Sequence, residues 1–272
     1  MKLFKKFSFT VLPVVLVMSL LALPAYAATM QWSASQQAAV DRATATDSTA
    51  RSQLATLYSS FTSLQSQLQQ TEQSISALHY QNEEAQSALT KQIKVIDADK
   101  IAKLEQTVKQ AKDKYKPLMS MYTGLNQQIT AANKLKNKQL SSALKAEAAT
   151  MKIAVQIAKT DIKNKEQALT AAKHQKTAAQ KKLRAALGGA DPLRTRIKAE
   201  KSTATILNKN VSPMWKSVTQ SVKSGDAKKI RADLNVLVNQ LRQIQTQKQK
   251  VLSLENQISG ILQNVKKQLA AK

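Results

Sequence analysis

Apolar residues recur at alternating steps of three and four along most of this chain, a spacing that keeps one apolar stripe on one side of an α-helix. From Leu54 the stripe passes through Leu57, Phe61, Leu64, Leu68, Thr71, Ile75, Leu78, Asn82 and Ala85 to Leu89, and nine of its 11 positions are apolar. A second runs from Ile101 through Leu104, Val108, Ala111, Tyr115, Leu118, Tyr122, Leu125 and Ile129 to Ala132, with no charged residue in it. A third, rich in alanine, extends from Leu144 to Ala186 and is broken only by Lys165 and Lys176. The fourth runs from Ile230 to Leu269, where ten of 12 positions are large aliphatics and the exceptions are Lys248 and Glu255. A spacing of 3.5 residues holds a seam against a partner helix over many turns, so the pattern predicts an all-α protein: an elongated coiled-coil or helical-hairpin bundle of long helices. Alanine seams allow close approach of a neighbour, and leucine-rich ones ask for a wider contact.

The frame slips twice, between Leu89 and Ile101 and between Ala132 and Leu144, by 12 residues where 14 would keep register. Each slip predicts a local unwinding, a kink or a turn. The stretch Gly188-Gly189-Ala190-Asp191-Pro192 combines stop glycines, an Asp cap and a proline suited to the first helical turn, so one helix ends and another starts there. Ser212-Pro213 repeats the start signal, and Gly225-Asp226 closes a short segment before the last helix begins near Ala227. Pro117 removes a backbone donor and disfavours helical geometry at Lys116, yet the second seam continues through it. A hairpin turn or a kink is therefore expected near Pro117. Together these signals divide the chain into residues 28–187, long heptad-patterned helices, and residues 188–272, a helical segment folding back after the GGADP turn. No Gly/Ser linker and no 20-to-50-residue repeat argues for further domains.

The first 27 residues have a different pattern. Lys2, Lys5 and Lys6 precede an apolar run from Phe9 to Leu23, and Ala25-Tyr26-Ala27 offers small residues at both recognition positions of an A-x-A cleavage site. This predicts a secretory signal peptide cleaved between Ala27 and Ala28. The apolar run is shorter than the ~20 residues that span a bilayer, so no transmembrane anchor is expected. The predicted location is extracytoplasmic, in a bacterial cell envelope or the medium.

Composition changes the picture in two ways. The chain has no cysteine, so an oxidising compartment is used without covalent staples and stability must come from helix burial. Without the first 27 residues, 39 basic side chains stand against 17 acidic ones. The charge is uneven: Met30 to Thr90 carries net −3, Lys91 to Leu187 net +14, and Gly188 to Lys272 net +11. Such a surface suits anionic partners, which outside a bacterial membrane are wall polyphosphates, acidic headgroups and stray nucleic acid. Aromatic interleaving for base stacking is lacking, so specific nucleic-acid binding is not expected.

Side chains that could carry chemistry are few. His79 and His174 have no ligand at the spacing a metal helix needs, and the Asp97/Asp99 and Glu83/Glu84 pairs point apart on a helix. With no phosphate loop, nucleophile elbow or Cys/His pair, the sequence predicts neither an enzyme nor a cofactor. Asn82, Lys165 and Lys176 occupy seam positions, where they either fix register or are tolerated at a wet, open seam; on the first reading Asn82→Leu stabilises the helices and broadens the oligomer distribution. The densest basic clusters are Lys134, Lys136 and Lys138, and Lys181, Lys182 and Arg184, the candidate polyanion-binding residues. Trp215, Met119 and Met121 are candidate contacts, Trp215 at the start of a short helix and the methionines beside the expected bend. The reading is a secreted cationic scaffold that binds anionic wall polymers and uses its seams for assembly within the chain or for self-association. The alternative is a protein-binding regulator of another envelope protein.

Overall fold

The computed structural model describes residues 30–271. Among them the chain forms seven helices and no strand: α1 (Ala34–Ala43), α2 (Ser48–Val95), α3 (Ala98–Lys134), α4 (Lys138–Gly188), α5 (Asp191–Lys209), α6 (Val211–Ser224) and α7 (Ala227–Ala270). The protein is all-helical with long helices, α2, α4 and α7 having 48, 51 and 44 residues. Among the described residues no helix is long and apolar enough to cross a membrane. The signal-peptide expectation, including Ala25, Ala27 and Ala28, lies outside the described residues.

Helix ends follow local chemistry. Ser33 and Gln36 form a reciprocal capping box at α1. The carboxylates of Asp47 and Asp226 accept from Ala50 N and Lys229 N, at 2.8 and 3.1 Å, and so cap the starts of α2 and α7. Gly225, with φ of 69°, ends α6 in the left-handed conformation that glycine tolerates. The first frame slip falls where α2 gives way to α3, at Ile96 and at Asp97 with its φ of 55°. The second falls at Leu135–Asn137, between α3 and α4. There Lys136 takes φ of 51° and the Asn137 side chain accepts from Leu140 N at 3.1 Å.

Pro117 is not a turn. Helix α3 runs unbroken from Ala98 to Lys134 with the proline inside it, and the hairpin reverses about 20 residues later, at Leu135–Asn137. Proline removes one backbone donor and crowds one carbonyl, a local cost of ~3 kcal/mol. Ile101, Val108 and Ala111 before it and Leu125 and Ala132 after it are all buried. That continuous burial outweighs the local penalty.

The chain divides into two compact units. The first comprises residues 30–73 and 200–249: α1, the front of α2, the end of α5, α6 and the front of α7. Its core sets Leu54 and Phe61 of α2 and Val218 and Val222 of α6 against Ile230, Leu234, Leu237 and Ile244 of α7. Aromatic rings line up beside it. Trp32 stacks on Tyr58 at 4.0 Å between centroids, and Phe61 stacks on Trp215 at 5.0 Å, each pair within 6° of parallel. Side-chain contacts of α2 with α7 here join Gln53 to Arg231, Thr71 to Gln245 and Glu72 to Lys248. The sequence offset stays nearly constant, so the two helices run parallel.

The second unit comprises residues 74–199 and 250–271. Ile75, Leu89 and Ile93 of α2, Ala179, Leu183 and Leu187 of α4, Ile197 of α5, and Val251, Leu254, Ile258, Leu262 and Val265 of α7 make one buried cluster. Helices α3 and α4 form an antiparallel hairpin whose Cα atoms come within 8 Å of each other. The alanine seam permits that approach: Ala148, Ala158 and Ala172 of α4 and Ala111 and Ala132 of α3 are buried. Ion pairs between Lys112 and Glu166, 2.6 Å, and between Glu105 and Lys173, 2.7 Å, fix the antiparallel register.

Candidate polyanion-binding faces and the polar seam

The polar residues that interrupt the seams have partners within the chain. In the second unit Asn82, 3% exposed, donates from Nδ2 to the carbonyl oxygen and to Oε2 of Glu255, each at 2.9 Å. His79 Nδ1 lies 2.9 Å from Oε1 of the same carboxylate, which is 1% exposed. Both oxygens of a fully buried carboxylate are thus satisfied by α2. In the first unit the other charged residue of the fourth seam, Lys248, pairs with Glu72, while Gln245 Nε2 donates to Thr71 Oγ1 at 3.0 Å. Lys248 and Glu255 lie two turns apart on α7, and each finds its partner on α2.

Lys165 is half-buried on α4 and pairs with Asp161, one turn earlier. The Lys165 ammonium, with the Tyr115 hydroxyl and Lys114 nearby, holds the Asp161 carboxyl below the usual carboxylate range. Lys176 is half-buried on the same helix. His79 and Glu72 escaped the reading of the sequence as seam partners. Their signal was present in the exceptions themselves, since a charged residue in one apolar stripe requires a complement on the stripe that faces it.

The basic candidates occupy exposed positions. Lys134, Lys136 and Lys138 surround the α3–α4 turn, and Lys181, Lys182 and Arg184 lie on the last turns of α4, all six exposed. None of the six is ion-paired among the described residues. Both clusters belong to the second unit. Around the turn, Ala132, Asn133, Lys136, Asn137, Lys138, Ser141, Ser142 and Lys145 line an open cleft of about 440 Å³. A cleft of about 240 Å³ beside Arg184 is also lined by Gln86, Thr90 and the carboxylate of Asp191.

Trp215 has one face on Phe61, so that ring is spent on the core of the first unit. Met119 is half-buried and Met121 is 62% exposed, both mid-way along α3. Because α3 passes through Pro117, neither methionine lies at a hairpin tip. Among the described residues no three His, Asp or Glu side chains gather as they would around a metal ion. Neither a protein-family model, a curated protein nor a solved structure matches the chain.

Proposed function

We propose that this chain is an exported, cationic coiled-coil scaffold of a bacterial cell envelope, with helical seams for assembly and lysine-rich faces for anionic polymers. One observation carries the reading. Between Lys91 and Leu187 there are 21 basic side chains against seven acidic ones, and Glu105, Asp161 and Glu166 are already matched to lysines of the same hairpin. The remaining basic side chains outnumber the remaining acids by 18 to four. Such an excess on exposed helix faces draws its counterions from outside the chain, and a polymeric anion releases many small ions when it binds.

The test is retention of the purified chain on isolated cell walls as salt is raised. With ~0.7 ions released per contact, six contacts predict a fall in affinity of about 300-fold between 50 and 200 mM salt. Retention that does not change with salt refutes polymer binding. The second reading, a regulator that docks on another envelope protein, draws on Ile153 and Ile157, one turn apart on α4 and 66% and 64% exposed. A protein partner held there stays bound in high-salt pull-down, where polymer binding is lost.

A further inference from the structure

The charge of the second unit is spread over its helices, but the cleft at the α3–α4 turn differs from the rest in what it lacks. Residues 114–146 contain six lysines and no Asp or Glu. Three of those lysines, Lys136, Lys138 and Lys145, line the cleft of about 440 Å³, and no carboxylate does. The smaller cleft beside Arg184 contains Asp191 and so carries its own counter-charge.

The neutral groups of the turn are also biased toward donation. Asn133 spends its Oδ1 accepting from the Ser141 hydroxyl at 2.7 Å, and Asn137 spends its Oδ1 accepting from Leu140 N at 3.1 Å. What each amide has left for a ligand is its Nδ2 group, which has no acceptor among the described residues. Local folding thus engages the two amide oxygens of this turn and leaves ammonium and amide donors around a concavity. Every cation between Arg51 and Arg184 is a lysine. Lysine acts as a compact point charge with three freely turning donors, which suits the clustered oxygens of a phosphoryl group without the two-point alignment that the arginine fork gives to carboxylate or phosphate.

We propose that the α3–α4 turn is a discrete site for phosphate groups of an anionic polymer, held by Lys136, Lys138 and Lys145 with the amides of Asn133 and Asn137. The inference rests on the polymer-binding reading above and sharpens it from a diffuse face to a place and a chemistry. A short phosphate ligand occupies this cleft, and a long one continues from it along the lysines of the hairpin.

Titration calorimetry of the full chain at pH 7.5 in ~50 mM salt, with pyrophosphate and with charge-matched citrate as probes, tests it. Pyrophosphate is expected to bind at least ~10-fold more tightly than citrate. The triple variant Lys136→Ala/Lys138→Ala/Lys145→Ala weakens pyrophosphate by ~10-fold or more, and the control Lys181→Ala/Lys182→Ala/Arg184→Ala, equal in charge lost, by less than ~3-fold. All six positions are exposed, so unchanged helical circular dichroism verifies that both variants fold. Equal weakening by the two triples overturns the site, since only net charge then matters, and leaves the polymer reading standing. Citrate binding as tightly as pyrophosphate overturns the phosphate assignment. A chain that retains wall polymer at low salt but ignores pyrophosphate also overturns the site alone, while failure to bind either one removes both readings.

Discussion

Replacing Asn82 by leucine separates two accounts of the same seam position. Read along the sequence, a polar residue in an apolar stripe costs stability, so Asn82→Leu is expected to stabilise. The geometry gives the opposite sign. The amide is a partner of the Glu255 carboxylate, which is 1% exposed, and of the Glu255 carbonyl. Removing one partner of a buried, hydrogen-bonded charge costs about 3–5 kcal/mol, because the charge stays behind without water to replace what was lost. Leucine recovers up to ~2 kcal/mol by burying apolar surface. The net expectation is destabilisation by about 2 kcal/mol, or a fall of ~1 M in the urea midpoint for a slope near 2 kcal/mol per M. Urea unfolding followed by circular dichroism measures it. The double variant Asn82→Leu/Glu255→Leu removes the charge together with its partner and leaves His79, already part-exposed, to solvent. It should recover the loss or exceed wild type, so the two substitutions are strongly non-additive. A single Asn82→Leu variant more stable than wild type, or additive effects in the pair, refutes the assignment of Asn82 as support for a buried Glu255.

Three further outcomes follow from particular contacts. Pro117→Ala restores a backbone donor inside α3 and should stabilise the chain by up to ~3 kcal/mol in the same urea assay; destabilisation would mean that the proline serves a bend the helix needs. Phe61 is fully buried against Trp215, so Phe61→Ala should cost about 3–5 kcal/mol and alter tryptophan fluorescence, and an unchanged midpoint contradicts its place in the first unit's core. The Asp161 carboxyl is held below its ordinary value chiefly by Lys165, so its contribution to stability is complete above the unfolded pKa of ~3.9 and is lost as pH falls through the lower folded value. Wild type should therefore melt above Asp161→Asn at pH 6 and converge with it at strongly acidic pH; a gap that widens with acid contradicts the pairing.

Much of the candidate surface was legible from sequence, because exposure of lysine follows from helix periodicity once the apolar stripe is known. Lys134, Lys136, Lys138, Lys181, Lys182 and Arg184 lie off the stripes and are exposed. The cleft at the turn was not legible. The frame slip between Ala132 and Leu144 marked the place without saying whether α3 unwinds, kinks or reverses there, and the cleft exists only because it reverses. Pro117 gave the stronger local signal, but a single proline penalises one turn of helix, while buried residues on both sides hold α3 together.

By itself the sequence determined that this chain is helical, where its stripes run and break, and that its middle carries a large excess of lysine. Those properties are local, set by spacing along one helix and by counting charges. Only the tertiary structure decided that α2 and α7 run parallel while α3 and α4 run antiparallel, since a stripe repeating every 3.5 residues reads the same whichever way its neighbour points. It also decided that Lys248 meets Glu72, and that Glu255 meets His79 and Asn82, all on α2. A buried charge is matched by whatever the facing helix brings to its level, and that level is set by packing along the whole seam, which no single stripe contains.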